Sequence, residues 1–139
     1  KRIQLQQNRA LKILFSKDIR TRTKTLHYNL KTLLVKDMRN HSLLKVPHTH
    51  IHSITHNQNT NTQITFQHNT NVHGHNTRQS NQLRTPKYRT KYGQQTVENT
   101  SAHLWNELPD HIKAITRPHI FKRQTKNYIL KNYEERTEN

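Results

Sequence analysis

Apolar residues recur in steps of three and four through the first third of the chain. Ile3, Ala10, Leu11, Leu14 and Phe15, with Gln7 in register, form one helical stripe. Lys1, Arg2, Arg9, Lys12 and Lys17 fall mostly off it. The polar stretch Arg20–Lys24 is expected to turn the chain. Leu26, Leu30, Leu33 and Leu34 then mark a second helix. Asp37 suits the N-cap of a third, carrying Met38, Leu43 and Leu44, and Pro47 is expected to stop it.

From Pro47 to Thr77 the period is lost. Ile51, Ile54, Ile64, Phe66 and Val72 stand alone among Asn, Thr, His and Gln. So little apolar area does not offset the entropy of ordering the segment, which reads as loop or disorder. Ile64 and Phe66 alternate with polar neighbours and mark one short strand, Gln63–His68. The segment is expected to be dispensable for whatever the rest of the chain binds.

Beyond Arg78, Lys87-Tyr88-Arg89-Thr90-Lys91-Tyr92 alternates strictly, cations on one face and tyrosines on the other. Gly93 suits a turn, with Gln95–Glu98 returning as hairpin partner. Thr100 or Ser101 is expected to cap a helix through Leu104 and Trp105, ended by Leu108-Pro109. Another helical turn follows over Pro109–Ile115. Thr116 caps a last helix with Pro118 in its first turn, where proline is favoured. Phe121, Thr125, Tyr128, Ile129 and Asn132 line one side of that helix, and Trp105 is expected to anchor against it. The predicted fold is mainly α: short helices plus a small β-hairpin, with a low-complexity middle. It divides into a basic helical segment (1–46), a His/Asn/Thr-rich linker (47–77) and a basic C-terminal part (78–139).

Charge sharpens this picture. The 139 residues carry 24 Lys and Arg against eight carboxylates, a net charge of +16 with His neutral. Residues 1–46 hold +10, residues 47–77 no formal charge, and residues 78–139 +6. Such a field attracts polyanions, so nucleic acid is the first partner expected, ahead of an anionic membrane. No apolar run approaches the ~18 residues of a membrane span, and no signal-peptide stretch is seen. The start at Lys1-Arg2-Ile3 reads as that of an excised piece of a larger protein. An intracellular location is expected, nuclear or cytoplasmic alike.

Only 29% of the residues are hydrophobic and mean hydropathy is −1.16. A core this thin is expected to be marginal. Thr, Asn, Lys, His and Gln together make up 69 residues, half the chain, and glycine only two. Codons for those five residues begin AC, AA or CA, which points to a coding strand poor in G. Histidines arise from such a bias without any metal to bind.

Cysteine is absent, which excludes disulfides, zinc fingers and thiol nucleophiles. His48, His50 and His52 alternate as zinc ligands on a sheet do. They lie, however, in the low-complexity tract, and residues 47–77 offer no carboxylate to complete a shell. Asp18, Asp37 and Asp110 are isolated from one another. Gly74 and Gly93 make no phosphate loop, and no serine occupies a nucleophile elbow. No catalytic residue, metal site or cofactor is expected in this chain.

The candidate nucleic-acid contacts are Arg9, Lys12, Lys17, Arg20, Arg22, Lys24, Arg78, Arg84, Lys87, Tyr88, Arg89, Lys91 and Tyr92. On a strand, Lys87, Arg89 and Lys91 would repeat every ~6.6 Å, near the phosphate spacing of an extended single strand, with the tyrosines free to stack on bases.

Several motifs occur in a telling order. Leu5-Gln6-Gln7-Asn8-Arg9-Ala10 comes first, and Asn76-Thr77-Arg78-Gln79-Ser80 follows the middle tract. Pro86, Arg89-Thr90, Tyr92-Gly93, Leu104-Trp105-Asn106-Glu107-Leu108-Pro109 and Phe121-Lys122 complete it. The whole resembles the C-terminal end of reverse transcriptases from LINE-type, Jockey-like non-LTR retrotransposons, over roughly residues 3–46 and 75–130. The middle tract departs from relatives, which carry a more hydrophobic helical stretch there. The resemblance implies the thumb and post-thumb region that holds template and primer, with the upstream polymerase domains as partners. The palm with its aspartate pair is not in this sequence, so no catalytic residue carries over. The alternatives are a decayed retroelement fragment without selected activity and a His-rich metal-binding module.

Overall fold

The computed structural model describes residues 2–55, 64–72 and 77–135. Gln63, Asn76, Gly74 and three of the linker histidines (His56, His73, His75) lie outside the described residues. The fold is mainly α. In chain order the helices are α1 (Arg2–Leu14), α2 (Thr23–Asn29), α3 (Val35–Leu43), α4 (Lys45–Thr55), α5 (Lys91–Gln94), α6 (Val97–Glu107), α7 (Asp110–Lys113) and α8 (Pro118–Glu135). A single 3-10 turn spans Asn69–Asn71.

The described residues form two compact units. The first comprises the chain up to His41 and from Arg123 onward; the second runs from Ser42 to Lys122.

In the first unit α1 and α2 end alike. Lys17 N–H donates to the Lys12 carbonyl and Ser16 N–H to that of Ile13, while Thr32 N–H donates to His27 and Lys31 N–H to Tyr28. These are two Schellman turns, and their left-handed residues are Ser16 and Lys31, both at φ +48°. Leu33 and Leu34 therefore lie beyond α2 rather than on it. Leu33, Leu130 and Tyr133 form a buried cluster, with Tyr28, Leu34 and Ile129 against it.

Asp37 does not cap α3: it sits inside the first turn and accepts the Tyr133 hydroxyl. The free amides of that helix start are met from afar. Val35 N–H donates to Gln4 Oε1 (2.8 Å) and Leu34 N–H to the Tyr133 hydroxyl (3.1 Å). His27, fully buried, is held by a neutral-imidazole network. Nδ1 lies against both the Thr32 hydroxyl (3.0 Å) and the Thr32 carbonyl (3.2 Å), and Nε2 lies 3.1 Å from Asn8 Oδ1.

In the second unit the first nine residues of the middle tract are helical, not loop. Residues 47–55 belong to helix α4, and Pro47 stands at its third position, where the missing N–H has no intrahelical partner to lose. His48 is buried on the same helix and fills an apolar position. Helix α4 packs on α6. Trp105 of α6 lies 5.8 Å from Phe121 between ring centroids, and His48 lies 6.4 Å from Trp105. Ile129 belongs to the Leu33 cluster of the first unit, not to this one. Phe66 and Leu83 are also buried. The expected strand reduces to one antiparallel bridge, His68 to Leu83. The Asn106 side chain clamps Leu83, donating to its carbonyl and accepting from its amide, both at 2.9 Å.

The β-hairpin is not formed; no strand occurs among the described residues. Residues 91–94 are helical because the Thr90 hydroxyl caps Gly93 N–H (3.2 Å). Thr96, not Thr100 or Ser101, then caps α6. Ser101 is inside that helix, its hydroxyl donating to the Val97 carbonyl.

Candidate nucleic-acid interface

The segment around Lys91 loses its strand geometry and keeps its chemistry. Lys87, Arg89, Lys91 and Tyr92 are all exposed, Tyr92 by 88%. Tyr88 behaves differently: it is half-buried and lies over Gly93. A Cβ on Gly93 would stand 2.7 Å from the Tyr88 Cβ and Cδ1, so only glycine permits this approach. Tyr88 and Tyr92 thus do not share a face. One tyrosine braces the turn and the other is exposed in a six-residue segment that carries three exposed cations. Gln94 Nε2 also donates to the Tyr88 carbonyl (3.3 Å), tying the approach to the short helix.

Arg84 and Arg78, also exposed, precede this segment. Arg84 N–H donates to the Gln67 carbonyl, and its side chain borders a hollow of about 270 Å³ with Phe66, Pro86 and Glu98. Glu98 makes that hollow less favourable to phosphate than the Lys87–Tyr92 turn.

The remaining nominated cations belong to the first unit. Arg9, Lys12 and Lys17 line one groove of about 700 Å³, together with Leu5, Ile13 and Ile19. The Lys12 ammonium donates to the Ile19 carbonyl, closing one end of the loop against α1. Arg20, Arg22 and Lys24 are exposed in and after that loop, outside the groove. Of the nominated cations, Arg9, Lys12, Lys17, Arg20, Arg22 and Lys24 thus fall in the first unit and Arg78, Arg84, Lys87, Arg89 and Lys91 in the second.

The histidine run is not a ligand set. His48 and His52 share one face of α4, with rings 4.6 Å apart. His48 Nε2 donates to the Ile115 carbonyl (2.8 Å) and His52 Nε2 to that of Lys113 (3.4 Å). His50 turns the other way and meets Phe66 edge-on at 5.5 Å. Burial depresses the pKa of His27, His48 and His50, so each is held neutral. Among the described residues no group of three or more potential ligands is placed to hold a metal ion. Each aspartate is engaged within the fold. Asp18 accepts Arg20 N–H, Asp37 accepts the Tyr133 hydroxyl, and Asp110 pairs with Lys113 at 3.1 Å.

The structural roles of Asn106 and His48 were not read from the sequence, and Gly93, expected to serve a turn, serves a close approach of Tyr88. Asn106 sits within the Leu-Trp-Asn-Glu-Leu-Pro motif, the one signal that marked it. No described helix is long and apolar enough to cross a membrane. No protein-family model, curated protein or solved structure matches this chain.

Proposed function

We propose that this chain is a phosphate-driven, single-strand-binding module, the C-terminal part of a non-LTR retrotransposon reverse transcriptase, acting as a binding element rather than a catalyst. The observation that carries the reading is the Lys87–Tyr92 turn, where an 88%-exposed tyrosine stands among three exposed cations. Cations along a backbone and an aromatic face for a base are the two parts of non-specific single-strand recognition. A net charge of +16 supplies the long-range attraction. The order of the Asn-Thr-Arg, Leu-Trp-Asn and Leu-Gln-Gln-Asn-Arg motifs supports the retroelement origin.

The test is fluorescence anisotropy of a labelled single-stranded RNA against the full chain over a salt series. Affinity falls steeply from low to moderate salt, and varies little with sequence. The triple variant K87Q/R89Q/K91Q lowers both the affinity and the salt slope, while its circular dichroism stays that of the wild type. Affinity indifferent to salt, or a triple variant that binds like wild type, would overturn the reading.

A further inference from the structure

Helix α1 is thirteen residues long and buries none of them. Isolated helices shorter than ~12–15 residues are marginal in water, and protein helices persist chiefly through an apolar face that packs. One side of α1, with Gln4, Gln7, Asn8 and Leu11, is half-buried, and the other aliphatic side chains are open. Ile3, Leu5, Ile13 and Leu14 are exposed, as is Ile19 in the loop beyond, the last by 87%. The fold thus leaves several aliphatic side chains of this helix uncovered.

The groove along this helix combines two chemistries. Leu5, Ile13 and Ile19 give it aliphatic walls; Arg9, Lys12 and Lys17 give it positive charge. No carboxylate lines it, and the nearby Asp18 carboxylate is turned onto the Arg20 amide at 2.8 Å. Lys12 is committed to the Ile19 carbonyl, while Arg9 and Lys17 make no ion pair with a described residue. None of its lining residues is aromatic, so bases find no stacking platform there. A second copy brings the same surplus of positive charge and is repelled.

We infer that this groove is a docking site for an acidic amphipathic helix of a partner protein. Aliphatic side chains of the partner fill the space between Leu5, Ile13 and Ile19, and its flanking carboxylates face Arg9 and Lys17. This is the helix-in-groove mode of recognition, with charge fixing orientation and excluding basic helices. It uses none of the residues of the Lys87–Tyr92 turn, and it gives Arg9 and Lys17, nominated from the sequence as nucleic-acid contacts, to the carboxylates of a protein partner instead.

The test titrates the full chain against a labelled synthetic helix with leucines at three- and four-residue spacing and glutamates between them. A scrambled peptide of the same composition is the control. The ordered helix binds at least about tenfold tighter than the scrambled one. The variant I13S/I19S, altering two exposed side chains, loses that preference and still binds single-stranded RNA. The variant R9E/K17E binds the acidic helix more weakly and gains affinity for the same helix with lysines in place of glutamates. Equal binding of ordered and scrambled peptides would overturn the proposal, as would an unaltered preference in I13S/I19S. RNA binding lost in I13S/I19S would assign the groove to nucleic acid instead. Self-association in sedimentation that this variant abolishes would assign it to a second copy, and either result overturns the proposal.

Discussion

His48 lies face to face with Phe121, ring centroids 4.0 Å apart and planes inclined by 22°. The imidazole packs as an aromatic core residue while its Nε2–H is spent on the Ile115 carbonyl. At 2% exposure it has no room for a solvated charge. Burial lowers its pKa, His52 nearby adds to the effect, and the Ile115 carbonyl opposes it.

The consequence is acid lability. A proton binds the unfolded histidine near pH ~6.5 but binds the folded one only at lower pH. The stabilisation is therefore complete above that value and is lost as pH falls through and below it. His27 and His50 are depressed in the same direction and add to the trend. The melting temperature is expected to be level above about pH 7 and to drop progressively below about pH 6.5. His48→Leu keeps an apolar side chain against Phe121 and flattens part of that slope. A melting temperature that rises on acidification would contradict this account.

Trp105 is the second member of the same aromatic group, 5% exposed and 5.8 Å from Phe121. Trp105→Ala removes the largest side chain of a thin core and is expected to cost about 3–5 kcal/mol. That is comparable to the whole stability of a marginal domain. Differential scanning calorimetry should show the cooperative transition broadened or lost, and RNA binding should weaken only with it. A variant that unfolds like wild type yet no longer binds would place the indole on the bases.

The helices were legible where apolar residues keep the period, as in α1 and α8, whereas of the four leucines expected to mark the second helix only Leu26 lies on α2. Helices were hidden where histidine stands in for an apolar residue. Leu44, His48 and Ile51 keep helical spacing through α4, but a histidine read as polar breaks the stripe. Pro47, read as a stop, occupies the first turn, where it costs nothing. The Lys87–Tyr92 alternation was real and was overruled by two local contacts, the Thr90 cap on Gly93 and the Tyr88 ring over Gly93. The composition of the binding turn could therefore be read from the sequence, and its shape could not. Helix ends were obscured for another reason: with two glycines in the chain, the usual C-terminal marker is missing.

That scarcity makes a prediction. Ser16 and Lys31 hold left-handed conformations that cost a residue with a Cβ about 1 kcal/mol or more. Ser16→Gly and Lys31→Gly relieve that strain at some cost in unfolded-chain entropy. Each is expected to raise stability by a few tenths to about 1 kcal/mol, read as a higher urea midpoint at unchanged slope. Destabilisation by either would show that the side chain makes a contact worth more than the strain.

Gly93→Ala acts the other way. The new methyl meets Tyr88 at 2.7 Å, and the contacts are with Cβ and the ring base, which cannot swing aside alone. Overpacking of this kind costs about 1–3 kcal/mol where the site cannot relax. The segment is exposed and short, so relaxation is local: α5 and the approach to it shift while the core persists. RNA affinity is expected to fall several-fold with little change in melting temperature. Tyr88→Gly combined with Gly93→Ala removes both the Cβ and the ring from that contact and should recover helicity at α5. Unchanged binding by Gly93→Ala would show that the geometry of this turn is immaterial to recognition.

Tyr133 carries the last prediction, because one hydroxyl serves two partners. It accepts the Leu34 N–H at 3.1 Å and donates to the Asp37 carboxylate, joining the C-terminal helix to the start of α3. Burial and the Asp37 carboxylate raise its pKa above the usual tyrosine range, so it is protonated at neutral pH. Tyr133→Phe leaves the ring in the Leu33–Leu130 cluster but strands a helix-terminal amide and a carboxylate together. An unsatisfied buried group costs about 1–3 kcal/mol, and that is the loss expected in urea unfolding. Asp37→Asn should cost less, since its amide oxygen still accepts the Tyr133 hydroxyl and the Leu34 contact is untouched. The ordering is the diagnostic: Asp37→Asn as damaging as Tyr133→Phe would mean that the negative charge, not the shared hydroxyl, secures the start of α3.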